Sequence, residues 1–123
     1  MSIGSRQAQD AAARVIAVCE VIALIVEKGK DHFLREVEAQ WAAEMGLIRI
    51  GEAVAKIPPP VRERFAGQPW RQIIDMRNFA ARRDDLDPNR AWRTLTRDVP
   101  RLREYLASVV IPRLSLDTGN AAR

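Results

Sequence analysis

Cysteine is nearly absent from this sequence, with Cys19 the single one in 123 residues. One cysteine cannot form a disulfide within the chain, so a disulfide-stapled extracellular scaffold is excluded and a reducing cytoplasm is the expected location. Histidine is just as scarce, because only His32 occurs. Without Cys and His residues at metal-ligand spacing, we predict no metal and no other cofactor.

The sequence also lacks the short motifs of several enzyme classes. It contains no phosphate-binding P-loop, no glycine-rich dinucleotide turn and no nucleophile elbow. The apolar stretch 15–26 carries Glu20, is too short to span a bilayer, and has neither the basic start nor the cleavage site of a secretory signal. We therefore expect no membrane association.

What the chain does have is enough apolar material for one compact domain, since 47% of its residues are hydrophobic. It is mildly basic, with a net charge of +4. Its 20 basic residues include three lysines (Lys28, Lys30 and Lys56), so 17 are arginine. The arginine fork is preferred where carboxylate or phosphate is gripped. A GC-rich genome, which readily encodes arginine, explains the same bias equally well.

Apolar residues recur at intervals of three and four, and nothing alternates with period two, which predicts an all-α fold. We predict a first helix over 5–27 and a second, capped by Asp31, over 31–57. Two apolar stripes run along the second helix: Leu34, Val37, Trp41, Met45 and Ile48, and Leu47, Ile50, Val54 and Ile57. Gly46 and Gly51 each cost roughly 1 kcal/mol inside a helix, so they indicate close contact between helices.

Proline-containing segments divide the second half of the chain. IPPPV at 57–61 ends the second helix, GQP at 67–69 opens a third, and LDPN at 86–89 opens a fourth with an aspartate cap followed by proline. Pro100 should kink or divide the fourth helix. The apolar stripe of the fourth helix is Trp92, Leu95, Val99, Leu102, Leu106 and Val109.

These elements predict an antiparallel bundle of four to five helices. The helical domain should cover 1–114. After Pro112 the chain should fray, leaving 115–123 as a flexible C-terminal tail.

A second stripe on the fourth helix is basic. Arg90, Arg93, Arg97 and Arg101 are spaced by three, four and four residues, which places them roughly opposite the apolar stripe. One interpretation is a solvated face. The other is a track for a polyanion or an acidic protein partner.

The most highly charged stretch is DMRNFAARRDD at 75–85. It contains an Arg–Asn pair, then two more arginines and two aspartates. If this run lies on a helix that faces a groove, it could bind phosphate. If it lies on an open face, its charges would only be solvated.

Three consecutive stretches resemble the HepT family of HEPN-domain toxins. GLIRIGEAVAKIP at 46–58 resembles the second long helix of the family, and RERFAGQPWRQIIDMRN at 62–78 resembles the Pro-Trp-Arg opening of its active-site helix. LDPNRAWRTLTRDVPRLREYL at 86–106 resembles its last helix. The resemblance covers about residues 10–110. No stretch is specific alone, but their order is.

The resemblance implies a homodimeric helical bundle with active sites at the dimer cleft. Family members are metal-independent endoribonucleases and the toxin halves of toxin–antitoxin pairs. A nucleotidyltransferase antitoxin silences them by attaching AMP to a tyrosine. The family motif is an arginine, four to six residues, a histidine, one residue and that tyrosine. Arg77 matches the arginine and Asn78 the polar residue that follows it.

The motif then departs from the family pattern. Arg82 stands at the histidine position and Asp84 at the tyrosine position. Histidine can hold or release a proton near neutral pH, whereas arginine stays charged. Losing a proton-transfer group typically costs ~100- to 10,000-fold in rate. Asp84 also offers no phenol to modify.

Substitutes for these two groups are poor. Asp84 or Asp85 could act as a base only in a pocket that raised its pKa, because the reference pKa of aspartate is about 4. His32 would have to reach in from the other subunit, and Tyr105 lies too far along the fourth helix to match the motif. Binding of phosphate does not need these two groups. The candidate phosphate-binding residues are Arg77, Arg82, Arg83, Arg90, Arg93 and Arg97.

Three hypotheses result. The favoured one is a HepT-like homodimer that binds RNA or a nucleotide in its cleft, paired with a nucleotidyltransferase, with ribonuclease chemistry weakened or lost. The alternative is an active metal-independent endoribonuclease toxin neutralised by that antitoxin. The third is a dimerisation module whose charged run is simply solvated.

Overall fold

The structure, a computed structural model, describes residues 2–79 and 87–121, with side chains over 4–79 and 87–117. Within these ranges the chain is helical apart from short connections and contains no strand, which confirms the predicted all-α class. None of the helices there is long and apolar enough to cross a membrane. The α-helices are α1 Ser2–Glu27, α2 Lys30–Arg35, α3 Val37–Ala55, α4 Pro59–Arg64, α5 Trp70–Asp75, α6 Pro88–Arg93, α7 Val99–Tyr105 and α8 Ile111–Ala121.

The centre of the bundle is α1, which packs between α3 on one side and α7–α8 on the other. Both neighbours run antiparallel to it. On the α3 side, a β-carbon at Gly46 would lie 3.1 Å from the side chain of Ile22, which confirms the close contact predicted for this glycine. On the other side, the Gln9 amide donates to the Ser115 hydroxyl at 3.3 Å, and the Arg103 guanidinium donates to Glu20 at 3.5 Å.

One apolar stripe of α3 is buried and the other is not. Leu47, Ile50, Val54 and Ile57 are at most 2% exposed, as predicted. Of the other stripe, Ile48 is buried, but Val37, Trp41 and Met45 are 52%, 68% and 50% exposed, so this part of the stripe lies on the surface. The reason is that α1 and α5 already cover the neighbouring faces of α3 and leave this one outward.

The predicted single helix over 31–57 is wrong, because it is two helices. Gly29, in a left-handed conformation (φ 94°), turns the chain into α2, so Asp31 is not the N-cap. Extended backbone at Glu36 then separates α2 from α3. The Gln40 side chain donates to the carbonyl oxygens of Phe33 and Leu34 at 3.0 and 3.2 Å, satisfying acceptors at the end of α2. This break lets Phe33 enter the core, where it is 1% exposed.

The last helix passes through two prolines without ending. Asp87 caps α6 by accepting a hydrogen bond from the Asn89 backbone, and Pro88 follows it, as predicted. π-helical turns at Thr94–Asp98 and Leu106–Val110 each end two residues before a proline, Pro100 and Pro112. Proline lacks an N–H and crowds the carbonyl four residues before it, and a wider turn accommodates both defects. Pro100 thus divides the regular α-helix, as predicted.

Helical structure continues beyond Pro112, because α8 extends to Ala121. Leu114 is fully buried, and Asp117 forms an ion pair with Arg64 that ties α8 to α4. The pKa of the Asp117 carboxyl is lowered by its hydrogen bond from Arg64. The flexibility of residues 115–123 and the boundaries of the domain stay predictions.

Candidate functional site

The start of α5 is held by aromatic residues. The Trp70 indole N–H donates to the Phe65 carbonyl at 2.7 Å, and its ring lies 6.2 Å from that of Tyr105. The Gly67 N–H donates to the Tyr105 hydroxyl at 3.3 Å, and a β-carbon at Gly67 would come within 2.6 Å of the tyrosine ring. Tyr105 therefore anchors the approach to α5 rather than standing at the motif position.

The far end of α5 rests on α3. The α-helix ends at Asp75, and 76–79 form a 3₁₀ turn that carries Arg77 and Asn78. A β-carbon at Gly51 would lie 2.5 Å from the Arg77 backbone nitrogen and 2.9 Å from the Ile74 carbonyl oxygen. Only glycine permits this approach, so Gly51 determines where Arg77 sits.

Two adjoining surface grooves meet at Arg77. The first, about 420 Å³, is called the asparagine groove; it is lined by Arg71, Gln72, Ile74, Asp75, Arg77 and Asn78. The second, about 370 Å³, is called the three-arginine groove; it is lined by Ala55, Arg62, Arg71, Ile74 and Arg77. Arg71, Ile74 and Arg77 are common to both, so the grooves form one basic surface.

The hydrogen bonds of this surface leave cationic groups available. Asn78 donates from its amide nitrogen to Asp75 at 3.2 Å, which orients the amide. Arg62 donates through Nε to the Ile57 carbonyl at 3.0 Å, which fixes the plane of its guanidinium. Within the part of the chain that the structure describes, neither Arg71 nor Arg77 uses its guanidinium in a hydrogen bond or ion pair.

The arrangement can bind an anion, and it contains one carboxylate among its described lining residues, Asp75, which accepts a hydrogen bond from the Asn78 amide. The cysteine and the histidine of the chain lie elsewhere. Burial raises the pKa of the Cys19 thiol to about 11, so it is not a thiolate near neutral pH. His32 lies in α2, before the start of α3, whereas Arg77 contacts Gly51. At about 1.5 Å per residue, Gly51 is roughly 20 Å along α3.

No three His, Cys, Asp or Glu side chains among the described residues lie together as they would for a metal ion. The predicted lack of a cofactor stays a prediction.

The predicted site residues divide into three groups. Arg77 and Asn78 lie together on the asparagine groove. Arg82, Arg83, Asp84 and Asp85 fall outside the described residues, so their placement one turn beyond Arg77 is untested; the α-helix itself has ended by Asp75. The third group lies on the last helix and consists of exposed arginines: Arg90, Arg93, Arg97 and Arg101.

A larger cleft of about 460 Å³ lies between α5 and the last helix. Polar Gln72, Asp98 and Arg101 line it together with apolar Met76 and Phe79. Arg101, from the basic stripe on the last helix, therefore faces this cleft, which the Asp98 carboxylate also lines.

Two arginines of the site were not singled out from the sequence. Arg71 belongs to the Pro-Trp-Arg stretch of the family resemblance, which was the available signal. Arg62, in α4, opens the same stretch, 62–78, but the resemblance gave it no role of its own.

Comparison with known proteins agrees with the resemblance. The family described as ribonuclease HepT-like matches residues 15–109. A Methanocaldococcus jannaschii protein named "Gamma-glutamylcyclotransferase and putative RNase MJ0434" is 29% identical over 98 residues, which cover 76% of this chain and 44% of that protein. From the same organism, "Putative RNase MJ1380" is 27% identical over 90 residues, covering 69% of this chain and 83% of the relative. No solved structure matches.

Proposed function

The chain belongs to the ribonuclease HepT-like family, and we propose that it binds RNA phosphates around Arg77 while cleaving RNA weakly or not at all. The observation that supports binding is the pair of uncommitted guanidinium groups, Arg71 and Arg77, in adjoining grooves. Guanidinium forks match phosphate geometry and form charge-assisted hydrogen bonds to it.

Weak cleavage follows from the residue at position 82. Metal-independent RNA cleavage needs a base to take the proton from the 2′-hydroxyl and an acid to protonate the leaving oxygen. Arg82 stands where the family has histidine, and a guanidinium does neither at physiological pH. Arg82 and Arg83 would instead extend the phosphate-binding surface of Arg77, with Asn78 held in place by Asp75.

We further propose that the protein is a homodimer joined along the exposed face of α3. Positions 37, 41, 48 and 55 of α3 lie within about 40° of one line along the helix. Val37 and Trp41, 52% and 68% exposed, are the exposed large apolar side chains on this line, whereas Ile48 is buried. Tryptophan is enriched at interface centres. Ala55, on the same line, lines the three-arginine groove, so such a dimer would place the groove beside the partner subunit.

Replacing Trp41 by aspartate should separate the dimer. Loss of a central tryptophan commonly weakens association by roughly 30-fold or more. Light scattering coupled to size exclusion, at several micromolar concentrations, would measure the shift from dimer to monomer. The matched control is Leu116→Asp, which removes an equally exposed apolar side chain (67%) on α8. Dissociation by Leu116→Asp but not by Trp41→Asp would place the interface elsewhere.

The partner in this proposal is a nucleotidyltransferase antitoxin in the same cytoplasm, in a toxin–antitoxin-type pair. Asp84, at the tyrosine position, offers no hydroxyl to receive AMP. Pairing would therefore rest on binding rather than on modification of this position. Purification with native neighbours, followed by identification of what co-elutes, tests the pairing.

Wild-type protein should bind single-stranded RNA and leave it intact. Arg77→Ala should lower the affinity for this RNA about tenfold or more, as expected for lost charge-assisted hydrogen bonds. Fluorescence anisotropy with a labelled oligonucleotide measures binding, and gel analysis of the same RNA measures cleavage. RNA affinity unchanged by Arg77→Ala would refute the proposed site.

The alternative function is an active endoribonuclease toxin, favoured by the RNase names of both relatives. Expression in bacteria without a partner separates the two. Growth arrest that disappears with Arg77→Ala would support the alternative, whereas unaffected growth supports a weakened nuclease.

A further inference from the structure

We propose that Arg62 and Arg71 complete, with Arg77, a clamp for the backbone of single-stranded RNA, in which the three-arginine groove holds a phosphate next to the one at the asparagine groove. This inference rests on the proposed RNA binding at Arg77. It assigns two further binding residues, one of which, Arg62, belongs to a different helix from the motif.

The three guanidinium groups come from three separate elements. Arg62 lies on α4, Arg71 at the start of α5, and Arg77 on the 3₁₀ turn after α5. All three line one groove with Ala55 and Ile74. Residues brought together from different elements onto one concave surface form a defined cationic site, unlike a periodic row on one exposed helix face.

The electrostatics of the groove favour an anion strongly. No carboxylate is among the described residues that line it, although three arginines do. The like charges of three guanidinium groups around one groove produce mutual repulsion. A phosphate bound between them would relieve it and accept several charge-assisted hydrogen bonds.

One of the three guanidinium groups, and the backbone that carries a second, are positioned before any ligand arrives. The Nε–H bond of Arg62 to the Ile57 carbonyl, 3.0 Å, holds that guanidinium by one edge and leaves its terminal nitrogens to the groove. The backbone of Arg77 is fixed against Gly51. Preorganisation of this kind lowers the ordering cost of binding.

The shape of the surface favours a chain of phosphates over one small anion. The asparagine groove and the three-arginine groove share Arg71, Ile74 and Arg77, so a ligand leaving one enters the other. A basic groove that follows the backbone is how proteins hold single-stranded nucleic acid. Arg71, common to both grooves, lies where successive phosphates would meet.

The test measures RNA affinity of the purified full-length chain against salt concentration. Single variants Arg62→Gln, Arg71→Gln and Arg77→Gln are compared with Arg35→Gln, which removes an equal charge from the exposed end of α2. The probe is a labelled 12-nucleotide single-stranded RNA of mixed sequence. Each groove variant should weaken binding about tenfold and reduce the slope of log K against log salt by about 0.7. Arg35→Gln should change neither.

A structural role of Arg62 is separated by its own readout. Thermal unfolding reports any stability lost with the Ile57 hydrogen bond, whereas the salt slope reports phosphate contacts alone. Arg62→Lys, which keeps the charge but loses the fork, should recover most of the salt slope while binding less tightly than wild type.

Several outcomes would overturn the clamp. If Arg77→Gln weakens binding while Arg62→Gln and Arg71→Gln match wild type in affinity and slope, the inference fails and the proposed function stands. If wild type does not bind RNA, both fail. Equal losses in Arg35→Gln would indicate general charge attraction. Competition by polyglutamate as effective as by unlabelled RNA would point to an acidic protein ligand instead.

Discussion

An Arg82→His variant should cleave RNA about 100- to 10,000-fold faster than the wild-type chain, which is the usual contribution of a general acid–base group. The change restores a side chain able to exchange a proton at the position where the family motif has one. Arg77 remains to hold the phosphate. Cleavage of a defined transcript, followed over time with protein free of contaminating nucleases, measures the gain.

The pH dependence of this gain identifies its cause. A histidine that acts as base must be neutral, so the rate of the variant should rise with pH through about 6.5, the ordinary histidine pKa. Arg35→His makes the same change of charge at the exposed end of α2 and should leave the rate at the wild-type level. Adding Arg77→Ala to Arg82→His should remove most of the gain. Wild-type cleavage as fast as that of Arg82→His would show that the site already contains a base.

Gly51→Ala should damage both stability and RNA binding. The added methyl group would lie 2.5 Å from the Arg77 nitrogen and 2.9 Å from the Ile74 carbonyl oxygen, so the backbone of the 3₁₀ turn must move. Overpacking against backbone costs about 1–3 kcal/mol, which outweighs the helix propensity of roughly 1 kcal/mol that alanine adds. Denaturant unfolding measures the first effect and RNA anisotropy the second.

Gly46→Ala is the matched control for this change. It lies in the same helix, but its β-carbon would meet the side chains of Ile22 and Val18, the nearest at 3.1 Å, rather than backbone. Side chains can give way by a few tenths of an ångström, so Gly46→Ala should unfold close to wild type and bind RNA normally. Normal RNA binding by a folded Gly51→Ala protein would show that the position of Arg77 does not depend on this contact.

Elements specified by short-range chemistry could be predicted closely. The Asp87 cap is one, because its carboxylate accepts the Asn89 N–H two residues on. The buried stripe of the last helix is another, with Leu95, Leu102 and Leu106 at most 3% exposed. The cap depends on a neighbour two residues away, and the stripe can be recognised from its spacing of three and four residues along the chain.

Elements that depend on distant partners were predicted less well. The break at Glu36 depends on Gln40 reaching back to α2 and on the burial of Phe33 against Trp92. The helix beyond Pro112 depends on Leu114 entering the core. Neither partner is signalled by the local pattern.

The site shows the same division. The motif drew attention to Arg77 and Asn78, which lie together on the asparagine groove, while the roles of these two residues and of Arg82 and Asp84 stay predictions. The placement of Arg62 and Arg71 beside Arg77 could not be predicted, because these residues come from elements that meet only in the folded chain.

From its residues alone, the chain is predicted to be helical and resembles the HepT-like family to which it belongs, and the resemblance implies that Arg82 is a permanently charged side chain at the histidine position of the motif. Those properties reside in periodicity, in ordered motifs and in the chemistry of one side chain, none of which needs coordinates. Which arginines face one another was decided by packing. The contact of the Gly51 backbone with the Arg77 turn, and the proximity of α4 to α5, bring together charges that are 15 residues apart in sequence, from 62 to 77. Spacing along the chain does not encode such convergence.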